Sequence, residues 1–195
     1  QGDKLIIQFR KSGRFFNWGT KSLNKDLELM LPNDLAAQLQ LVDIESVSAS
    51  VAVEQISAER CWVEQISGET QVTDVNLDLL DIEAVSGDIF CINVRAHQLD
   101  VETVSGNSRL DGEFSQVNLN AVSGEQTLVS AIAPVEIDGE SVSGDINITI
   151  PDCDGFTVQL DTASGKLYTA FSGNMRGDTL VYGNGAAEYD FDTVS

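Results

Sequence analysis

The sequence predicts an all-β fold, a parallel β-solenoid (β-helix) with rungs of about 19–20 residues. A repeated three-residue phrase, its steady period and the residue columns around it lead to this prediction. The phrase recurs as Ile66-Ser67-Gly68, Val85-Ser86-Gly87, Val104-Ser105-Gly106, Val122-Ser123-Gly124, Val142-Ser143-Gly144 and Ala163-Ser164-Gly165. Successive glycines are 19, 19, 18, 20 and 21 residues apart. Such a period is typical of stacked repeats, in which each unit buries its apolar face against its neighbours.

Positions counted from each of these glycines form columns of like residues. Positions −7, −5, −2 and +4 are apolar, except for Gly139 at −5 and Thr169 at +4, and position −4 is polar. Apolar and polar residues in alternation indicate strands with one face inward. We therefore expect aliphatic ladders inside a stack of parallel strands. Aligning Ala49 with the glycines extends the columns towards the N-terminus.

Each unit is expected to contain two short strands separated by the Ser-Gly bend. Glycine suits a tight bend because it lacks the Cβ that disfavours positive φ. The serine hydroxyls are expected to satisfy backbone groups at the bends. The alternative fold, an antiparallel meander or sandwich, predicts no identity between columns. Because parallel crossovers are usually right-handed, a right-handed coil is expected.

The whole chain, 1–195, is interpreted as a single solenoid domain. Residues 1–41 are expected to form N-terminal strands and a cap, 42–170 the regular repeats, and 171–195 an irregular last rung. Within the first part, Lys4 to Phe9 and Leu27 to Leu31 alternate like strands. Both ends of the sequence resemble the inside of a strand, so a fragment of a longer protein is expected. The segment contains no stretch that predicts a membrane span or a signal peptide, which would lie upstream of Gln1.

The composition is strongly acidic, with a formal net charge of −20. This charge disfavours nucleic acid and a bare anionic membrane as partners, since both carry negative phosphates. The simplest role of the acids is to keep a β-rich protein soluble and to block association between strand edges.

Cysteine and histidine residues give little indication of catalysis. Cys61 and Cys91 fall in different apolar columns and are interpreted as core residues, whereas Cys153 lies in a turn. The one histidine, His97, is expected at an outer bend between two strands. A catalytic thiol needs a base and an orienting group beside it, and this pattern predicts neither. No catalytic residue and no cofactor are therefore predicted.

Two polar columns carry candidate metal ligands. Carboxylates stacked at strand spacing repel one another, and calcium would relieve that repulsion through oxygen ligands. The candidates are Glu64, Glu83, Glu102, Glu140 and Asp161 at position −4, and Asp88 and Asp145 at position +1. The glycine-rich calcium-binding nonapeptide is absent from the sequence, so solvated acids are expected rather than a calcium site.

An aromatic and basic segment near the N-terminus interrupts the acidic pattern. It contains Phe15, Phe16 and Trp18 between Lys11 and Lys21. It predicts an end cap over the apolar core, because solenoids need one. The alternative is a contact patch for a partner, since interfaces favour aromatic and basic residues.

The phrase Glu-Xaa-Val-Ser-Gly-Asp, as in Glu83–Asp88 and Glu140–Asp145, resembles a bacterial β-strand repeat family known as adhesins. Leu27–Pro32 also resembles that family. The resemblance implies a protein exported to the periplasm or cell surface, in a family partly associated with envelope stress. It carries no known catalytic residues.

From the resemblance and the repeats, the expected function is a non-enzymatic adhesin, binding or scaffold module of the cell envelope. Its partner would be a surface glycan, peptide or protein. A β-helix carbohydrate-active enzyme is one alternative, since many long β-helices act on sugars and paired acids can serve that chemistry. A self-assembling structural solenoid is the other. The pattern predicts no oligomeric state.

Overall fold

The computed structural model describes residues 27–194 of the chain. Of these, residues 31–194 belong to one compact unit and Leu27–Met30 to another. The described elements are α1 (Asn33–Ala36), β1 (Leu39–Ser46), β2 (Val51–Glu54), β3 (Ser57–Ser67), β4 (Thr70–Thr73), β5 (Asn76–Ser86), β6 (Ile89–Ser105), β7 (Ser108–Ser123), β8 (Gln126–Ser130), β9 (Glu136–Ser143), β10 (Ile146–Thr149), β11 (Gly155–Thr162), β12 (Asn174–Arg176), β13 (Thr179–Gly183) and β14 (Ala187–Thr193).

The predicted solenoid is confirmed and has about six turns. One stack of parallel strands runs β1-β3-β5-β6-β7-β9, and a second runs β2-β4-β6-β7-β8-β10. The long strands β6 and β7 contribute to both stacks. Like residues lie opposite like residues, as in Cys61 opposite Leu80 and Leu80 opposite Leu99. The alignment of Ala49 with the glycines is also confirmed, because Val42 pairs with Cys61.

The core is built from the columns at −7, −5 and +4. Leu80 and Leu99 at −7, Ile82 at −5, and Leu110 and Leu128 at +4 are completely buried. Each fully buried aliphatic side chain contributes about 1.5–3 kcal/mol of transfer free energy, so these ladders supply most of the driving force for folding.

The side chains at position −2 lie on the outer surface of the solenoid. The prediction that they belong to the apolar interior is wrong. Val85 and Val104 are each 49% exposed. The reason is strand parity, because positions two residues apart share a face and −2 therefore shares the face of the polar position −4. The inward position is −3, which contains the buried polar residues Gln65, Thr103 and Ser141.

The Ser-Gly bends need glycine for two reasons. Gly87 has φ +133°, a conformation that L side chains rarely adopt. A Cβ on Gly87 would also lie 1.7 Å from the carbonyl oxygen of Gly68 on the preceding rung. Ala49 is tolerated at the start of the column because, within the described residues, no rung precedes it.

The opposite bend of the first three described rungs uses a residue in the left-handed region. Gln55, Asp74 and Asn93 have φ of 54°, 55° and 53°. The Asn93 side-chain amide donates a hydrogen bond of 2.6 Å to Asp74 Oδ1. Where β7 pairs with β6, the register shifts by one residue between Cys91 and Val94. This shift accounts for the 18-residue step between Gly106 and Gly124. The bend is therefore at Asn93, whereas His97, expected at a bend, is an exposed residue within β6.

Strand order departs from chain order after β9. β14 lies between β9 and β11, so that Glu140 pairs with Asp192 and Asp192 with Asp161. The sixth phrase, Ala163-Ser164-Gly165, therefore does not stack on Val142-Ser143-Gly144 as the columns predict. Gly139 gives a physical reason, because a Cβ on it would lie 2.7 Å from Phe191 Cδ1. The Phe191 ring of β14 occupies the space that an apolar residue at −5 would fill.

An aromatic cluster closes this end of the core. Phe156 packs against Phe171, Tyr182 and Tyr189, with ring centroids 5.0–5.3 Å apart. The Tyr189 hydroxyl donates to the Pro134 carbonyl at 2.9 Å. The antiparallel strands β13 and β12 follow β11 and end the sheet.

Two N-terminal predictions have different outcomes. Leu27 to Leu31, expected as a strand, contains none. Lys4 to Phe9 lies outside the described residues. Within residues 27–194 the one helix is α1, which has four residues and is too short to cross a membrane.

Candidate binding face

Two acid-rich columns run along the outer face of the first stack. In spatial order, position −4 contains Glu45, Glu64, Glu83, Glu102, Asn120, Glu140, Asp192 and Asp161, and position −6 contains Asp43, Trp62, Asp81, Asp100, Asn118, Asp138, Asp190 and Gln159. The first column was predicted from the sequence, whereas the second was not. The second column could have been found from the sequence, because positions −6 and −4 are two residues apart and therefore lie on the same face of the strand.

Carboxylates in these columns repel one another across the rungs. Partial burial, followed by the charges of Asp100, Glu83, Glu102 and Glu64, raises the pKa of Asp81 to about 6. Partial burial and then the carboxylate of Asp190 likewise raise the pKa of Asp138. The stack therefore holds a concentrated negative field on this face.

A third polar column, at position +1, ties neighbouring rungs together. Asp88 Oδ1 accepts a hydrogen bond of 2.9 Å from the Asn107 N–H, and Asn107 Oδ1 accepts one of 3.0 Å from the Glu125 N–H. Asn147 donates to Glu125 Oε1 at 2.8 Å. Asp88 and Asn107 satisfy backbone N–H groups on the next rung, and Glu125 is joined to Asn147 through side chains, so the column stabilises the solenoid as well as charging it.

The seven candidate metal ligands occupy two separate lines. Glu64, Glu83, Glu102 and Glu140 lie in the −4 column, where Asp192 separates Glu140 from Asp161. Asp88 and Asp145 belong to the +1 column beyond the bend. Across residues 27–194, no three or more Asp, Glu, His or Cys side chains are grouped so that they could hold a metal ion.

Between the −4 and +1 columns runs an exposed apolar strip, here called the valine ridge. It consists of Val47, Ile66, Val85, Val104, Val122 and Val142, which are 48–68% exposed. Hydroxyls of the following serines donate to ridge carbonyls, from Ser67 to Val47 and from Ser123 to Val104, both at 3.1 Å. Ser105 donates to the Val85 carbonyl at 3.4 Å, so the expected role of the serines at the bends is confirmed for these three.

Groups with nucleophilic chemistry lie apart from this face. Burial raises the pKa of both Cys61 and Cys91 to about 12, so these thiols are protonated and inert at neutral pH. Both are free, and their interpretation as core residues is confirmed. Cys153, also free, is half-buried in the loop before β11.

A shallow groove of about 490 Å³ lies beside the second bend. Its lining includes residues of α1 together with Gln55, Asp74, Asn93 and Arg95. The Asp74 carboxylate accepts the Asn93 hydrogen bond described above, and the Arg95 guanidinium pairs with Glu113 at 3.2 Å. The charged groups of the groove are thus already partnered.

The predicted contact patch of Phe15, Phe16 and Trp18 lies outside the described residues. The aromatic cluster that the structure does describe, around Phe156 at the opposite end of the sequence, was not predicted. Its members are spread over 34 residues without a period, so no column identifies them.

A comparison with protein families matches residues 1–195 to Toastrack DUF4097. Neither the curated proteins nor the solved structures include a match to this chain. The resemblance to a repeat family is confirmed at the level of this family, and the match carries no adhesin role. The chain therefore belongs to the toastrack DUF4097 domain family.

Proposed function

We propose that this DUF4097 domain is a non-enzymatic binding or scaffold module of the bacterial cell envelope. Its adhesin-like role would be to present a regular side face to a glycan, peptide or protein in the periplasm or at the cell surface. The observation that carries the proposal is the outer face itself, where the valine ridge runs between two acidic columns over at least five rungs.

The groove favours binding over carbohydrate chemistry. Glycoside hydrolysis by the usual mechanism needs two carboxyl groups about 5–9.5 Å apart across the scissile bond. The groove lining contributes one carboxylate, Asp74, and Asn93 already donates to it. The outer carboxylates lie on an open sheet face and not in a cleft that would hold a sugar between two of them.

The C-terminal end bears on the alternative of a self-assembling rod. End-to-end growth needs an open parallel edge that another copy can extend. Here the aromatic cluster and the antiparallel strands β13 and β12 follow the last parallel pair. The net charge of −20 further opposes contact between copies.

A thermal-shift screen with parallel product analysis tests the proposal. The full chain is incubated with peptidoglycan fragments, envelope polysaccharides, calcium and cationic peptides. A ligand that binds the folded state raises the Tm by mass action, and the proposal expects a rise with the ligand recovered intact. Cleaved glycan would contradict the non-enzymatic role, and a sedimentation series showing growing polymers would favour the structural rod.

Export needs a separate test. The proposal expects the full-length gene product, expressed in a bacterial host, to be degraded by protease added to spheroplasts. Protection of the domain until the inner membrane is lysed would contradict an envelope location.

A further inference from the structure

We propose that the valine ridge is a docking surface for a basic amphipathic helix of a partner protein. This inference rests on the proposed binding function and names its site and its partner class. The ridge supplies the apolar contact, and the carboxylates at −4 and +1 supply charge on both sides of it.

The apolar strip has the dimensions of a helix-binding surface. Its six residues are separated by five rung spacings of about 4.8 Å, which makes the strip about 24 Å long. A helix rises about 1.5 Å per residue, so about 16 residues would cover it. Each side chain is about half exposed because its neighbours in the column cover the rest. Scattered apolar residues are ordinary on surfaces, but a continuous strip of this kind marks an interaction site.

The backbone of the ridge favours a helix over an extended peptide. The carbonyls of Val47, Val85 and Val104 accept serine hydroxyls at 3.1–3.4 Å, and the strands are paired on both sides from β3 to β7. An added strand would therefore find no free sheet edge along the ridge. A helix satisfies its own backbone and binds through side chains alone.

Charge on both flanks determines the chemistry of the partner. Glu83 and Glu102 lie two residues before the ridge residues Val85 and Val104, and Asp88 lies three residues after Val85. Between Leu27 and Val194 the basic residues are Arg60, Arg95, Arg109, Lys166 and Arg176. Lys166 is at position +1 of the sixth phrase, which does not stack on the fifth, and the flanking positions beside the six ridge residues contain no Lys or Arg. A helix with Lys or Arg on each side of its apolar face would complement this arrangement.

A second copy of the chain fits the ridge poorly. Two ridges packed face to face would bring the carboxylate columns of one copy against those of the other. Like charges at an interface cost free energy, and carboxylates such as Asp81 already repel their neighbours within a single stack. The observations therefore favour a cationic partner over a homodimer.

The test measures binding of two labelled 18-residue peptides to the full chain by fluorescence anisotropy. In the first peptide, Leu occupies one helical face and Lys the other. The second has the same composition in a scrambled order, so it keeps the charge without the apolar face. We expect the first peptide to bind at least tenfold more tightly, and higher salt to weaken it by screening.

Matched variants locate the site. V85T/V104T/V122T removes apolar surface from the ridge while keeping β-branched side chains, and I92T/I132T/V135T does the same at residues 41–60% exposed elsewhere. E83Q/E102Q and E54Q/E59Q change the net charge equally, beside the ridge and away from it. We expect at least a tenfold loss for the ridge triple variant, a smaller loss for E83Q/E102Q, and changes within about twofold for both controls. Circular dichroism and melting curves establish that each variant folds.

Several outcomes would overturn the inference. Equal losses of peptide affinity in the ridge and control triple variants would show that the peptide binds elsewhere. Equal affinity for both peptides would show that binding depends on charge alone. If neither peptide binds while an envelope glycan raises the Tm, the proposal that the valine ridge binds a helix is wrong, whereas the proposed binding function is supported. Cleavage of that glycan would instead overturn the proposed function itself.

Discussion

The regular rungs and the C-terminal end of this solenoid solve the same packing problem in different ways. From β1 to β9 each rung lies on the preceding one in chain order, with aliphatic on aliphatic and glycine on glycine. At the end, the chain leaves the column after β9, and β14 returns to lie between β9 and β11. Identity between neighbouring rungs therefore propagates this solenoid, whereas its C-terminal end depends on unlike residues that cover the last apolar ladder.

The largest effect should come from the glycine column of the regular rungs. Gly87→Ala places a Cβ 1.7 Å from the Gly68 carbonyl oxygen at φ +133°, and neither backbone can move alone. We expect a loss of about 4 kcal/mol or more in the free energy of unfolding, measured by urea denaturation. The control is Gly177→Ala, where φ is +62° and nothing lies within 4 Å, with an expected cost of about 1 kcal/mol. Equal costs would show that stacking does not constrain Gly87.

The aromatic cluster around Phe156 is expected to contribute much of the folding free energy of the C-terminal end. Phe156→Ala removes a ring that is 3% exposed and contacts three other rings, so we expect a loss of about 3–4 kcal/mol. Hydrogen exchange should show β11, β13 and β14 losing protection before β3 and β5. Phe90→Ala, at a half-buried position on the outer face, is the matched control with an expected loss below about 1 kcal/mol. Uniform loss of protection would contradict a separable end.

The junction between the two regions can be tested by a double-mutant cycle. Phe191→Ala empties the space over Gly139, and Gly139→Ala forces a Cβ to within 2.7 Å of the Phe191 ring. In the double variant the added Cβ no longer meets the Phe191 ring, and it fills part of the space that the ring leaves. We therefore expect G139A/F191A to lower the free energy of unfolding by about 1 kcal/mol less than the sum of the two single variants. Additive costs, measured by urea denaturation, would mean that the two residues do not contact each other.

The smallest effect concerns charge on the regular rungs. The pKa of Asp81 is raised from 3.8 to about 6, so the folded protein holds this proton more tightly than the unfolded chain does. Its contribution to stability is full below pH about 4 and is lost as the pH rises through 6. Asp81→Asn should therefore stabilise the protein by about 1 kcal/mol at pH 7.5, a figure reduced for solvent screening, and by nothing at pH 3.5.

The control for this pH dependence is Asp178→Asn, in the turn between β12 and β13. It removes the same charge at the C-terminal end, away from the acidic columns. A pH-independent effect of Asp81→Asn, or an equal pH dependence at Asp178, would contradict repulsion within the stack.

Much of the regular region could be predicted from the sequence because each rung repeats the environment of the last. The columns identified Cys61, Leu80 and Leu99 as one buried ladder, and the bends at the glycines. Placing Val85 and Val104 with the interior columns was wrong because hydrophobicity was given more weight than strand parity. In an ordinary strand the outer position is polar, and the repeat alone gave no reason for an apolar residue there.

The C-terminal end could not be predicted because its contacts join residues without a common period. Phe191 fills the space over Gly139 across a sequence separation that no column spans, and Phe156, Phe171 and Tyr189 meet only after β14 has passed between β9 and β11. The phrase at Gly165 matched the repeat locally, but the neighbour on which it would stack was replaced by another strand.

The valine ridge faces outward from the solenoid, and thiol labelling in solution measures that orientation. In a Cys153→Ser background, the buried Cys61 and Cys91 are expected to stay unlabelled. Val85→Cys lies on the ridge, whereas Ala84→Cys replaces an adjacent residue that is 5% exposed and faces inward. We expect Val85→Cys to react with maleimide at least about tenfold faster under native conditions, with equal rates in urea. Native labelling of Ala84→Cys as fast as that of Val85→Cys would show that the ridge does not face outward.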